Sequence, residues 1–358
     1  MIQFIIKRIM YGFLVLAGVV TVVFLLFNVL PGDPARQMMG QRADEESIRI
    51  IQKDLGLDQP LSRQFVMYIN DLVPISVHDR DPEHYLYLDD EKYDYSELFS
   101  YGESSVVVYK SPYLRRSYQT KRKVSEIIQD YMLETAVLAF TAIIIAGLLG
   151  VLFGVISALK KDTWIDKVLL FVSILGMSVP SFFSSILVSY FFGYVLTDIT
   201  GLNMTGTLFE YDNLGDNELL RLDNLILPAL TLGVRPVSAI MQLTRSSMLD
   251  VMSQDYIRTA RAKGLKFKTV IIKHALKNAL NPVVTAISGM FASLLAGALF
   301  VESIFGWKGI GWVLYESLMK ADMPIIMGGV LLTATIFVVI NILVDITYGI
   351  LDPRVRVK

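Results

Sequence analysis

Three features of this 358-residue sequence could do chemistry: an arginine inside an apolar run, a proline among serines in another, and a dense basic loop. Arg235 falls about ten residues into the apolar stretch Leu225 to Leu243, roughly 15 Å from its start at 1.5 Å per residue. An ionisable group at that depth in hydrocarbon marks a functional site by default. The alternative is a short, tilted span from which Arg235 snorkels to one surface. Pro236 follows it and removes one backbone hydrogen bond. Pro180 lies about twelve residues into another apolar run, within Met177-Ser178-Val179-Pro180-Ser181-Phe182-Phe183-Ser184-Ser185. A mid-span proline frees a carbonyl that nearby hydroxyls re-satisfy, giving a bent, pore-lining helix; small hydroxyl residues equally suit close helix packing. Ser178, Pro180, Ser181 and Arg235 are thus the candidate lining of a translocation pathway. Asn341 and Asp345 sit near the end of the last apolar run, where a helix-end role is expected.

Other chemistries are poorly supplied. There is no cysteine, which removes disulfides, zinc thiolates, iron–sulfur clusters and thiol nucleophiles. The three histidines, His78, His84 and His274, do not suit an imidazole-built metal site. Residues 78–97 are crowded with Asp79, Asp81, Glu83, Asp89, Asp90, Glu91, Asp94 and Glu97. They lack the central glycine and final glutamate of a calcium-binding EF-hand loop, and read better as a solvated acidic loop. No G-x-x-x-x-G-K-[ST] phosphate loop occurs. No histidine stands beside a nucleophile in a recognisable triad, so an enzyme is not expected.

The elements that must position these residues are membrane spans. The chain is 53% hydrophobic and 19% charged, with a net charge of −1 and a mean hydropathy of +0.51. Soluble domains carry about 25% charge. Six stretches have the roughly 20 apolar residues a span needs: Ile9 to Leu30, Met132 to Leu159, Val168 to Leu196, Leu225 to Leu243, Pro282 to Val301 and Ile325 to Ile350. The first is too long and lacks the cleavage site of a signal peptide, so a retained helix is expected over 1–30. Residues 31–130 form one soluble segment, opening on the turn Pro31-Gly32-Asp33-Pro34 with a short helix expected over 44–56. A five-helix core follows over 131–350, then a tail over 351–358. Residues 245–281 hold eight Lys/Arg against two Asp, a net of +6, whereas 197–224 hold six acids against Arg221, a net of −5. The positive-inside rule then places both termini and the basic loop in the cytoplasm, and segment 31–130 outside.

The basic loop reads as helix, glycine break at Gly264, helix, with Asn281-Pro282 opening the fifth span. Thr259, Ala260 and Ala262 are small, and Arg258, Arg261 and Lys263 surround them. A short helix of this kind can seat in a partner's groove while its bases engage acidic rims. A basic loop touching anionic lipid has the same charge pattern.

This loop resembles the coupling loop of bacterial ABC-importer permeases, and within them the dipeptide/oligopeptide/nickel branch: Arg258-Thr259-Ala260 stands at the EAA position, Gly264 follows at the family's spacing, and His274 begins a branch-like HALxNALxP. Further resemblances to the branch are Leu30-Pro31-Gly32-Asp33-Pro34, Leu55-Gly56-Leu57-Asp58-Gln59-Pro60-Leu61, Arg116-Ser117-Tyr118-Gln119-Thr120, Glu302-Ser303-Ile304-Phe305-Gly306-Trp307-Lys308-Gly309-Ile310-Gly311 and Leu351-Asp352-Pro353-Arg354-Val355-Arg356. The first two point to the first, B-type permease subunit. The resemblance implies an all-α membrane protein with six transmembrane helices, the type I importer-permease fold and an insertion after the first helix. It implies a non-hydrolysing transport subunit in a bacterial inner membrane, importing di- or oligopeptides. Its implied partners are a second homologous permease, two nucleotide-binding ATPase subunits that hold ATP and Mg, and an extracytoplasmic solute-binding protein. Residues Asp255, Tyr256, Arg258, Thr259, Ala260, Arg261, Ala262, Lys263, Gly264 and Leu265 would dock to the ATPase. No metal or cofactor is expected on this chain itself. The acidic, tyrosine-rich stretch from about Val73 to Pro112 departs from the branch. Nickel or another small solute is the alternative cargo; an ATP-independent transporter and a sensor with an outer ligand-binding domain are the alternative classes.

Overall fold

The structure, a computed structural model, describes residues 2–29, 52, 56–102, 104–211, 217–295 and 298–351. The turn at 31–34, most of the helix expected over 44–56, and the tail after Leu351 lie outside these residues. Among the described residues five helices are long and apolar enough to cross a membrane: within α1 (Ile2–Val29), α3 (Val124–Leu159), α6 (Asp223–Met252), α8 (Phe267–Leu295) and α11 (Met323–Leu351). The third expected span is not one helix. It is α4 (Trp164–Ser178) followed by α5 (Ser181–Val195), bent by 108° at the break; counting the pair as one span gives six. Pro180 is the cause. Its fixed φ of −60° suits the residue before a helix, and the preceding Val179 is extended, as a residue before proline must be.

The chain divides into two units. The first contains residues 131–315 with the start of α1 and the end of α11. Its helices approach closely because glycines line the contacts. A Cβ on Gly150 would lie 2.7 Å from Ile240, and one on Gly154 would lie 2.5 Å from Thr244 and 2.7 Å from the Met241 carbonyl. In lipid, association depends on such close packing because lipid tails are as apolar as leucine. Gly154→Leu should lower the apparent melting temperature of the detergent-solubilised protein by about 2–10 °C, from an overpacking cost of 1–3 kcal/mol. Gly289→Ala, which meets nothing within 4 Å, should leave it unchanged.

At one end of this unit, α9 (Leu299–Phe305) and the start of α10 (Ile310–Met319) fold back on α3. Glu302, fully buried, accepts hydrogen bonds from the Thr135 hydroxyl at 2.9 Å and the Trp312 amide at 3.1 Å. Thr135 accepts from the Ile310 amide at 2.7 Å, and the buried Trp307 indole donates to the Glu134 carbonyl at 3.0 Å. Gly309 and Gly311 leave room for the Glu302 carboxylate, which an added Cβ would strike. The Glu302-to-Gly311 motif is therefore a latch onto α3. Elsewhere in the unit, Asp345 pairs with Arg8 at 3.1 Å, the partner its position near a helix end had not revealed.

The second unit comprises residues 13–130 and 316–334. Here the all-helical expectation for the membrane part acquires an addition: a three-stranded antiparallel sheet in the order β1 (Ile75–Asp79), β3 (Ser105–Lys110), β2 (Tyr95–Tyr101). Alternation decides its faces. Ser76, His78, Val106, Val108 and Lys110 turn inward; Ile75, Val77 and Tyr109 are exposed. The acids nearby cap their own turns: Asp79, Asp81 and Asp89 accept the amides of Asp81, Glu83 and Glu91. Among the described residues no three metal-binding side chains form a cluster. The Arg116-to-Thr120 motif wraps Asp322, whose carboxylate accepts from the Ser117 hydroxyl and the Tyr118 and Gln119 amides. Helix α2 (Leu61–Leu72) lays Phe65 and Tyr68 against Phe24 of α1.

Burial, aided by Lys110, pushes the His78 imidazole down to about 4 from its ordinary 6.5. Asp71 pulls the other way and Lys92 adds to the depression. Between those values the unfolded chain binds the proton and the folded one does not, so stability is lost as pH falls from about 6.5 toward 4. Backbone-amide protection in Ile75–Asp79, corrected for intrinsic exchange, should fall from pH 7 to pH 5. Equal protection would remove His78 as the titrating group.

Candidate functional site

The basic loop folds as the short helix α7 (Asp255–Ala262) between α6 and α8. Two apolar residues at i, i+3 spacing hold it down. Ile257 is fully buried and Ala260 nearly so, in a cluster with Ala158, Met248, Val270, Ile271, Ala275 and Ala279. Gly264 ends the helix with φ +77°, a conformation costly for any residue with a Cβ; its amide donates to Arg261 O at 2.9 Å. The next helix, α8, carries a π-helical stretch at Val270–Leu276 and runs on through Pro282, so the fifth span does not open at Asn281-Pro282 as expected.

The other face of α7 is open. Asp255, Tyr256, Arg258, Thr259, Arg261, Ala262, Lys263, Gly264 and Leu265 are exposed, followed by Lys266, Phe267 and Lys268. Leu265 and Phe267 are apolar groups left uncovered amid the bases. The Asn278 amide donates to the Tyr256 hydroxyl at 2.9 Å, and the Arg261 guanidinium sits 5.9 Å over the Phe267 ring. Of the ten residues singled out in the sequence, Ala260 alone faces inward: it is an anchor, not part of the exposed surface. Ile257 was the residue sequence reasoning missed, and its spacing from Ala260 was the signal.

The base of the loop is tied to the bent span. Arg245 donates from Nε to Asp166 Oδ1 at 2.8 Å and from Nη2 to Oδ2 at 2.7 Å. Ser157 donates to the same carboxylate, as does the Asp162 amide at 3.0 Å. The Asp166 side chain is 3% exposed and that of Arg245 20%, so α3, α4 and α6 share one buried charge pair.

The four candidate pathway residues fall in two places. Ser178, Pro180 and Ser181 stand at the α4–α5 break. Ser178 donates to Ile174 O at 2.8 Å, and the Ser181 carbonyl accepts from Ser184 and Ser185. Arg235 lies on the exposed side of α6. Nearer the Arg245 end, Gln242 donates to Ser173 at 3.0 Å and approaches Met177 Sδ at 3.5 Å.

Five apolar helices and a bent pair, with a presented basic helix, define a polytopic membrane protein. Residues 150–357 match the family described as "Binding-protein-dependent transport system inner membrane component", and residues 1–82 match that family's N-terminal component. The chain belongs to this family. It is 32% identical to the dipeptide transport system permease protein DppB of Alkalihalophilus pseudofirmus, covering 99% of this chain and all of the relative. It is 35% identical to the glutathione transport system permease protein GsiC of Salmonella choleraesuis, covering all of both, and 34% identical to the di/tripeptide transport system permease protein DppB of Pseudomonas aeruginosa, covering 99% of both. The two family matches leave residues 83–149 between them, where β2 and β3 lie.

Proposed function

We propose that this chain is the permease subunit of an ATP-driven importer of short peptides, forming half of the translocation pathway beside a second, homologous permease. One observation carries the coupling role: α7 is seated by Ile257 and Ala260 while its basic and apolar outer face stays open. Such a helix fits a groove in a separate ATPase subunit, and ATP and Mg are held there. The basic loop lies in the cytoplasm, with both termini, and the segment carrying the sheet lies outside, where a solute-binding protein delivers cargo. The relatives' dipeptide, tripeptide and glutathione names support peptides as that cargo. Mild-detergent purification through a tag after Lys358, with copurifying chains identified by mass spectrometry, tests the assembly. Two ATPase subunits and a second permease are expected. A folded chain that purifies alone or as a homo-oligomer would overturn the reading.

A further inference from the structure

We propose that Arg235 is the counter-charge for the carboxylate of the transported solute, at a subsite beside the break of the third span; this rests on the peptide-importer reading. The depth of Arg235 is bracketed by two charge pairs along α6. At its start Arg221 pairs with Asp223 at 2.8 Å; seven residues before its end Arg245 pairs with Asp166. Arg235 stands twelve residues from Asp223 and ten from Arg245, roughly 18 Å and 15 Å along the helix. The two pairs are thus separated by about the 30 Å of a hydrocarbon core, and Arg235 is near its middle. Its side chain spans neither distance, so snorkelling does not relieve it.

Arg235 is exposed, and among the described residues no carboxylate pairs with it. Nor do the stretches packed around it supply one: residues 135–159 of α3, 167–197, 224–249 and 267–301 contain no Asp or Glu. An unneutralised arginine facing lipid at this depth costs about 3 kcal/mol or more, so its exposed side faces a polar path. The α4–α5 break lies at the same level. Gly176 of α4 packs against Val234 and Ser238, one residue before and three after Arg235, which puts Pro180 within about one helical turn of Arg235 in level along the helices. Every peptide with a free C-terminus carries the anion that a mid-membrane guanidinium lacks, and arginine recognises carboxylates with paired donors.

The test uses the intact importer with its binding protein and labelled dialanine as the probe. Arg235→Ala should reduce uptake at least about tenfold, the loss of one charged hydrogen bond, while the complex still copurifies. Because the chain has no cysteine, Arg235→Cys introduces its sole thiol. A cationic methanethiosulfonate should restore uptake in Arg235→Cys, an anionic one should not, and saturating dialanine should slow the modification; treated wild type is the control. Full uptake by Arg235→Ala, or a thiol that neither reagent reaches, would overturn the inference alone. Failure of the wild-type importer to take up dialanine, measured first, would overturn the peptide reading and the inference with it.

Discussion

Ile257→Asp abolishes transport while the spans stay folded and inserted. Its side chain is fully buried beneath α7, so the change removes an apolar anchor worth about 2–5 kcal/mol and places an unpaired charge among Met248, Val270 and Ala275. An eight-residue helix has no comparable stability of its own. Helix α7 therefore leaves its seat, and the open face carrying Arg258 and Arg261 is no longer presented. Uptake by the assembled importer should drop by two orders of magnitude or more, the equivalent of about 2.8 kcal/mol. Ile257→Val, costing about 1 kcal/mol, should transport nearly normally. Gly264→Pro should behave like the aspartate variant, because proline cannot adopt the +77° φ found there. Normal uptake by Ile257→Asp would mean that α7 does not couple the chain to its ATPase.

The second large effect is on stability. Asp166→Ala leaves the Arg245 guanidinium, four-fifths buried, without its carboxylate and deprives Ser157 and the Asp162 amide of an acceptor. Breaking a buried pair in this way costs about 3–5 kcal/mol. Denaturant unfolding of the purified protein should show that loss. Asp166→Ala combined with Arg245→Met should recover much of it, since the double variant buries no lone charge. If the double variant is as unstable as the single, the pair's geometry and not the stranded charge is what matters.

The sequence made the spans legible because hydropathy is a local property: α1, α3, α6 and α11 lie where apolar runs predict them. It also located α7, since the small residues Thr259, Ala260 and Ala262 stand among bases ahead of the break at Gly264, but the Ile257 anchor went unread. The break in the third span was half legible. Pro180 announced a bend, but an apolar run reads the same whether its halves are collinear or cross at 108°. The sheet was masked by its flanking acids, although Val106 and Val108 alternate with exposed neighbours as a strand requires. Pairings across long sequence gaps were not legible at all. Nothing local tells Asp166 that its partner is Arg245, 79 residues away, or Asp345 that its partner is Arg8. Arg235 stood out by type and position, while its lack of an acidic neighbour emerged only when the elements around it were placed.

The latch at Glu302 sets an order of events during synthesis. Glu134 and Thr135 leave the ribosome well before Trp307 and Glu302, which follow 173 and 167 residues later. At about 5–20 residues per second, the Thr135 hydroxyl waits roughly 8–33 s for its carboxylate. Throughout that interval α3 is made but its end is unfastened, and truncation before residue 302 would leave it so permanently. The final closure of this end waits until residues 302–312 have been made.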